Sequence, residues 1–141
     1  MLNLKNNELQ PVTGFLQSLK LKNKSSRART RLVGKLDAKV NELVADQKML
    51  LEKYGQHDAS GNLIRDGNDN FLWQPEFAEE ATSENEELLE EKVTIDLSEY
   101  QSQMQVLTAA LDELDAELSD VDANIYAVLM DVLEEETKEE N

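Results

Sequence analysis

Apolar residues recur every seven positions along the last third of the chain, in two series offset by three residues. The first series is Leu97, Met104, Leu111, Leu118, Ile125 and Val132, and the second is Tyr100, Leu107, Leu114, Val121 and Val128. Alternating spacings of three and four residues place such positions along one side of an α-helix, as in a coiled coil. Neither glycine nor proline interrupts the segment. The pattern therefore predicts one long helix over residues 97–133 with a single apolar face.

A second long helix is predicted upstream, from about Ala28 to Tyr54. Its apolar face follows two further heptad series, which are Val33, Val40, Gln47 and Tyr54, and Leu36, Leu43 and Leu50. A helix of this kind gains most of its stability from packing. In a parallel pair of two copies of the 97–133 helix, Glu117 would face Asp122 and the like charges would repel. We therefore expect the two helices of one chain to form an antiparallel, coiled-coil-like hairpin.

Shorter elements surround this hairpin. Apolar spacing predicts a short first helix that ends near Lys20, and Pro75 falls in the first turn of an acidic third helix. Alternating polar and apolar residues predict strands at Met1–Lys5 and Val93–Leu97. The Asp66-Gly67 pair indicates a β-hairpin with a type I′ turn. The predicted fold class is mainly α: a long antiparallel coiled-coil-like helical hairpin with a short N-terminal helix and a small β-hairpin or β-sheet element.

The charge of the chain is divided between its two halves. Residues 1–56 hold 11 Lys and Arg against 5 Asp and Glu, whereas residues 57–141 hold 3 against 25. At 141 residues we expect a single domain, with a basic helical half (1–56), a hairpin and loop (57–75) and an acidic helical half (76–141). Two explanations remain open. The halves can fold onto each other and compensate, or the acidic face and the basic patch can meet different partners.

The basic half contains an acid-free stretch with six cations, Lys20, Lys22, Lys24, Arg27, Arg29 and Arg31. Its arginines lie near the expected start of the second helix, where the helix dipole disfavours cations. Acids of this chain or an external anionic partner should therefore lie near Arg27, Arg29 and Arg31, which we take as candidate interaction residues. Phosphate contact needs only charge and reach. However, no aromatic residue is interleaved for base stacking, and the net charge of −16 opposes a polyanion, so nucleic acid is not the favoured partner.

A second candidate surface lies at the far end of the predicted long helix. That helix would exceed its partner by roughly 16 Å at 1.5 Å per residue. If the first helix leaves the excess uncovered, Ile125, Val128 and Val132 form an exposed apolar patch for a protein partner or for a second copy in a homo-oligomer.

The residues give no sign of catalytic or metal chemistry. The chain has no Cys and one His, and it contains no recognisable nucleophile–base pair, phosphate loop or metal-ligand spacing. The Asp- and Asn-rich loop around Asp66 does not match the spacing of a calcium loop. We therefore predict a protein that is not an enzyme, with no catalytic, cofactor or metal residues. No signal peptide or membrane-spanning run is evident, so we expect an intracellular protein or one enclosed in a particle.

Several short motifs are spread over the first two thirds of the chain. They are Asn6-Asn7-Glu8-Leu9, residues 15–22, Ser26-Arg27-Ala28-Arg29-Thr30, Lys53-Tyr54, Asp58-x-x-Gly61-Asn62 and Asp66-Gly67. Together they resemble a family of uncharacterised small proteins of phages and prophages of low-GC Gram-positive bacteria. The resemblance covers roughly residues 1–97. It implies a phage origin, a location in the host cytoplasm or in the virion, and no site residues, because that family has no established activity.

The leading hypothesis is a non-enzymatic phage protein that acts through protein–protein interaction, as a minor tail or virion component or an assembly factor. Its partner would be a phage structural protein or a host protein. One alternative is an acidic, DNA-mimic-like inhibitor of a host defence or nucleic-acid-binding protein. Another is a nucleic-acid contact through Lys20–Arg31.

Overall fold

The computed structural model describes the backbone of residues 1–139 and the side chains of residues 1–136. The chain order of the elements is β1 (Leu2–Lys5), α1 (Asn6–Ser18), α2 (Asn23–Tyr54), α3 (Ala78–Glu90), β2 (Lys92–Ile95), α4 (Gln101–Asp112) and α5 (Asp120–Glu139). Single 3₁₀ turns precede α3 and α4, at Pro75–Phe77 and Ser98–Tyr100. The prediction of a mainly helical protein with a small β-element is confirmed. The chain divides into two compact units, residues 41–91 and the remainder.

The larger unit is built on a two-stranded antiparallel sheet. β1 pairs with β2 in a register that places Leu2 opposite Ile95. The strand predictions near Met1–Lys5 and Val93–Leu97 are thus confirmed. α1 follows β1 directly, and Glu8 accepts a hydrogen bond from the Lys5 N–H at 2.8 Å, which satisfies one of the free donors at the helix start.

One hydrophobic core joins the sheet and the helices of this unit. α5 packs against α1, α4 and β1. The α-amino group of Met1 also pairs with the carboxylate of Glu136, a buried residue near the end of α5. The largest fully buried side chains are Leu2, Leu4, Leu9, Leu16, Leu32, Leu36, Leu97, Met104, Leu107, Leu111, Leu129 and Leu133.

The prediction of one continuous helix over residues 97–133 is wrong. α4 ends at Asp112 and α5 begins at Asp120, and residues 114–119 lie outside regular secondary structure. Residues 112–122 hold six carboxylates, and a continuous helix would place several of them three or four residues apart, where like charges repel. The break also supplies a new helix start. There the Ser119 hydroxyl oxygen accepts a hydrogen bond from the Asp122 N–H at 3.1 Å. The carboxylates of Asp120 and Asp122 in the first turn of α5 also interact favourably with the positive end of the helix dipole.

The break lets α5 fold back on α4. The Tyr126 hydroxyl donates to the Leu111 carbonyl at 2.7 Å, and burial raises the pKa of Tyr126, assisted by the charges of Asp112 and Glu134. α5 packs against α4, and residues of α2, α4 and α5 share one core. The predicted coiled-coil-like hairpin of two long helices is not confirmed. The long second helix is confirmed, although it begins at Asn23, before the predicted residue 28.

The smaller unit contains the end of α2, a connecting segment and α3. Two turns of the segment share one hydrogen-bond pattern. Asp58 Oδ1 accepts the N–H groups of Ser60 at 2.8 Å and Asn62 at 3.0 Å, and the Asp58 N–H donates to the Asn62 carbonyl at 2.8 Å. Asp66 makes the same three bonds eight residues later, at 2.8, 3.0 and 2.8 Å. In both turns the residue before the closing asparagine has a positive φ, at 85° and 65°.

The hairpin predicted at Asp66 is present, but its predicted type I′ turn is wrong. Arg65 pairs with Phe71, and the loop between Asp66 and Asn70 contains three residues. A type I′ turn requires a positive φ at both central residues. In this loop the residue with a positive φ is Asp69 and not Gly67.

The two turns belong to an arrangement with approximate threefold symmetry. Gln56, Ile64 and Leu72 are eight residues apart and form a closed ring of backbone hydrogen bonds. Gln56 N–H donates to the Leu72 carbonyl at 2.8 Å, Ile64 N–H to Gln56 at 2.9 Å, and Leu72 N–H to Ile64 at 3.2 Å. On the third side, Gln74 N–H donates to the Tyr54 carbonyl at 2.8 Å. The segment thereby joins the end of α2 to the residues that precede α3.

The core of the smaller unit is small. Leu43, Tyr54 and Ala81 are its buried hydrophobic residues among those described. The Tyr54 ring lies 5.7 Å from the ring of Phe77, and its hydroxyl donates to Glu84 at 2.8 Å. These contacts hold the start of α3 against the end of α2.

Candidate functional site

The start of α2 separates the three candidate arginines into different environments. Arg29 points towards the end of α1, where its guanidinium donates to the Leu16 carbonyl at 3.3 Å and to the Leu19 carbonyl. The last carbonyls of a helix have no partner within the helix, so Arg29 acts as a C-terminal cap for α1. Its guanidinium is therefore engaged in holding the fold.

Arg31 lies on another side of α2. Its guanidinium carbon is 5.8 Å from the ring centroid of Tyr100, and Lys35 Nζ approaches the same ring at 5.8 Å. Cations over an aromatic face gain a modest electrostatic attraction. Arg31 nevertheless remains exposed, so its charge is available at the surface.

Arg27 is exposed and lines a cavity of about 270 Å³. The other lining residues are Lys24 from α2 and Ser102, Gln103 and Val106 from α4. We call this cavity the basic cavity. Its four polar side chains can all donate hydrogen bonds, and two of them carry a positive charge. Arg27 and Arg31 also border a neighbouring depression of about 250 Å³ with Ser26 and Thr30. The cationic surface therefore continues along α2.

The basic cavity lies at the start of α4. Asp96 Oδ1 accepts the Ser98 N–H at 3.0 Å, and hydrogen bonds from the Ser98 backbone and hydroxyl hold the pKa of Asp96 below its usual range. Ser102 and Gln103 follow in the first turn of α4, where backbone N–H groups and the helix dipole favour an anion. The Gln103 side chain has a buried Oε1 atom without a hydrogen-bond partner among the described residues. The sequence analysis did not identify Ser102 or Gln103 as candidate site residues. The polar run Gln101-Ser102-Gln103 at a predicted helix start was the available signal.

The apolar candidates are only partly grouped. Ile125 and Val128 line an open groove of about 200 Å³ together with Pro11 and Val12 of α1. Val132 is not among the residues that line this groove and packs, half-buried, against the core. The sequence left open whether the first helix covers this region, and in the structure α1 covers part of it through Pro11 and Val12.

Acidic residues dominate the surface of α3. This helix holds six glutamates and no Lys or Arg. Glu84 receives the Tyr54 hydroxyl, and the other five, Glu79, Glu80, Glu86, Glu87 and Glu90, are exposed. Across the described side chains, no group of three or more His, Cys, Asp or Glu residues is arranged to hold a metal ion.

A comparison with known protein families places the chain. The sequence model of DUF1617, a protein family of unknown function, matches residues 1–140. The chain belongs to the DUF1617 family. Its predicted membership of an uncharacterised family is thus confirmed, and the match includes the C-terminal helices as well as residues 1–97. No curated protein and no solved structure matches the chain. None of the described helices combines the length and the apolar character that a membrane span requires.

Proposed function

We propose that this DUF1617 protein is a non-enzymatic phage protein that acts through protein–protein contacts, as a minor tail or virion component or as an assembly factor. The observation that carries the proposal is the cationic surface of Lys24, Arg27 and Arg31 on a chain of net charge −16. A charged surface of this kind favours encounter with an oppositely charged partner. The phage context rests on the resemblance of residues 1–97.

The apolar groove supports the same proposal. Pro11 of α1 is exposed and Ile125 and Val128 of α5 are half-buried, and these three residues line the groove together with the buried Val12. Protein interfaces commonly combine an apolar centre with a polar or charged rim. An apolar groove of this kind suits a protein partner better than a small charged ligand.

Particle composition tests the proposal. The protein would be quantified by mass spectrometry in purified particles of a phage that encodes it, and in assembly intermediates, with its gene intact and disrupted. A component remains in the finished particle at a fixed stoichiometry. An assembly factor is found in intermediates, and its loss halts particle formation. Normal particles that lack the protein and form equally well without its gene would refute both roles.

A second candidate function is favoured by the exposed carboxylates of α3. Five exposed glutamates on a short helix resemble the charge density of a nucleic-acid backbone, which suits an inhibitor of a host defence or nucleic-acid-binding protein. In a competition assay, the wild type would displace labelled duplex DNA from such a protein. The variant Glu79→Gln/Glu86→Gln/Glu87→Gln would lose this effect. Equal displacement by both proteins would contradict the inhibitor hypothesis.

A further inference from the structure

We propose that the basic cavity binds carboxylate side chains on an acidic segment of a partner protein. The proposal rests on the proposed function, since it names the partner chemistry that one surface of an interaction protein recognises. It assigns the binding contacts to Lys24, Arg27, Ser102 and Gln103.

The lining of the cavity matches a carboxylate. Lys24 and Arg27 each carry a positive charge, and an arginine can hold a carboxylate through two parallel hydrogen bonds. The Ser102 hydroxyl and the Gln103 amide add neutral donors from the first turn of α4, where the helix dipole also favours an anion. Val106 supplies an apolar surface for the methylene groups of a glutamate.

The side chain of Arg27 is accessible to an external partner, whereas that of Arg29 is engaged within the fold. Both residues are arginines of the first turns of α2, but Arg29 is engaged with the carbonyls at the end of α1, whereas Arg27 is exposed at the cavity. Arg27 also borders the neighbouring depression with Arg31. Two cations in the cavity and a third beside it can meet successive acids of one segment.

The size of the site and the charge of the chain favour a protein segment over nucleic acid. A cavity of about 270 Å³ accommodates individual side chains. A duplex carries about one charge per 1.7 Å of its axis, so a bound duplex would extend its phosphates over a chain that holds 30 Asp and Glu. A second copy of this chain is also disfavoured, because two chains of net charge −16 repel each other.

The test measures peptide binding by the full-length protein. The probe is a fluorescent twelve-residue peptide that alternates Glu with Gly, and its control replaces each Glu by Gln. Fluorescence anisotropy is recorded at low and moderate salt, with inorganic phosphate and a twelve-nucleotide single strand as competitors. We expect binding of the Glu peptide that weakens with salt, and no binding of the Gln peptide.

Matched variants separate local from overall charge. Lys24→Gln/Arg27→Gln should weaken peptide binding about tenfold or more, equivalent to about 1.4 kcal/mol. Lys48→Gln/Lys92→Gln removes the same charge from two exposed lysines outside the cavity, and we expect binding within about twofold of wild type. Ser102→Ala should weaken binding about threefold through the loss of one neutral hydrogen bond.

Four results would overturn the proposal. They are equal effects of the two double variants, no peptide binding up to about millimolar protein, tighter binding of the oligonucleotide than of the peptide, and salt-sensitive self-association that the Lys24→Gln/Arg27→Gln variant abolishes. The last two results would assign the cavity to nucleic acid or to a second copy. Particle composition is measured separately. A protein that stays in particles while its cavity binds no acidic peptide would refute this inference and leave the proposed function standing.

Discussion

Replacing Arg29 by methionine should destabilise the protein, whereas the same change at Arg27 should not. Methionine keeps an apolar stem of similar length but cannot donate to the carbonyls of Leu16 and Leu19. Hydrogen bonds from a charged donor contribute about 1.5–3 kcal/mol each. Since Arg29 is only half-buried, solvent screens part of this, and we expect a loss of about 2 kcal/mol in total. For a chain of this size that lowers Tm by about 4–8 °C.

Urea unfolding followed by circular dichroism at 222 nm measures both variants under identical conditions. Arg27→Met should change the free energy of unfolding by less than about 0.5 kcal/mol, because Arg27 is exposed and substitutions of exposed side chains usually change stability little. The m-value should stay constant in both variants if each unfolds in one cooperative step. Equal destabilisation by the two changes, or none by Arg29→Met, would refute the capping role of Arg29 and the distinction between the two arginines.

Four further predictions test other parts of the fold. Tyr126→Phe should lower the free energy of unfolding by about 1 kcal/mol at neutral pH. Since the pKa of Tyr126 is raised above 10.0, the stabilisation by the Tyr126 hydroxyl is complete below that pH and is lost as the pH rises above it. Urea midpoints of wild type and variant that stay equally far apart in alkali would contradict this pH dependence. Gly55→Ala should destabilise the protein by about 1–3 kcal/mol, because the new Cβ would lie 2.4 Å from a backbone oxygen. In the control Gly34→Ala the new Cβ meets open space within α2, so this change should stabilise the protein by about 0.5–1 kcal/mol in thermal unfolding. Because the pKa of Asp96 is lowered from 3.8 in the folded protein, its ionised carboxylate stabilises the fold above pH 3.8, and this stabilisation is lost as the pH falls further. The difference in urea midpoint between wild type and Asp96→Asn should therefore shrink between about pH 6 and pH 3. In hydrogen exchange, the backbone amides of residues 115–118 should exchange faster than those in the middle of α4. Equal protection of the two groups would instead support one continuous helix.

The heptad pattern predicted helical structure in the last third of the chain but not the break between α4 and α5. Spacing alone cannot distinguish one helix of five heptads from two helices that fold back on each other, because both bury one apolar face. The carboxylates of residues 112–122 and the Ser119 cap decide between the two arrangements. Once the helix breaks, its register is free to change. Leu129 and Leu133 are buried, while Val128 and Val132 of the predicted series are only half-buried.

The connecting segment contained a repeat that periodicity of helices or strands does not detect. The pattern of an aspartate, three residues and an asparagine, followed by an apolar residue, occurs at Asp58–Leu63 and again at Asp66–Phe71. An aspartate that accepts two backbone N–H groups fixes such a turn locally. The turns were therefore accessible from sequence. The ring of Gln56, Ile64 and Leu72 was not, because it requires three segments to meet in space.

Helix geometry explains why the candidate arginines serve different purposes. Residues four apart on a helix share a face and residues two apart do not, so Arg27 and Arg31 lie together and Arg29 lies apart. The division was predictable once a helix over residues 23–54 was known, but the carbonyls that Arg29 caps come from a separate helix and could not be. Stability accounts for Arg29. For Lys24 and Arg27 it does not, since cations near a helix start cost a few tenths of a kcal/mol each. These two side chains converge with donors from α4 on one cavity, and the proposed recognition of an anionic partner rests on this convergence.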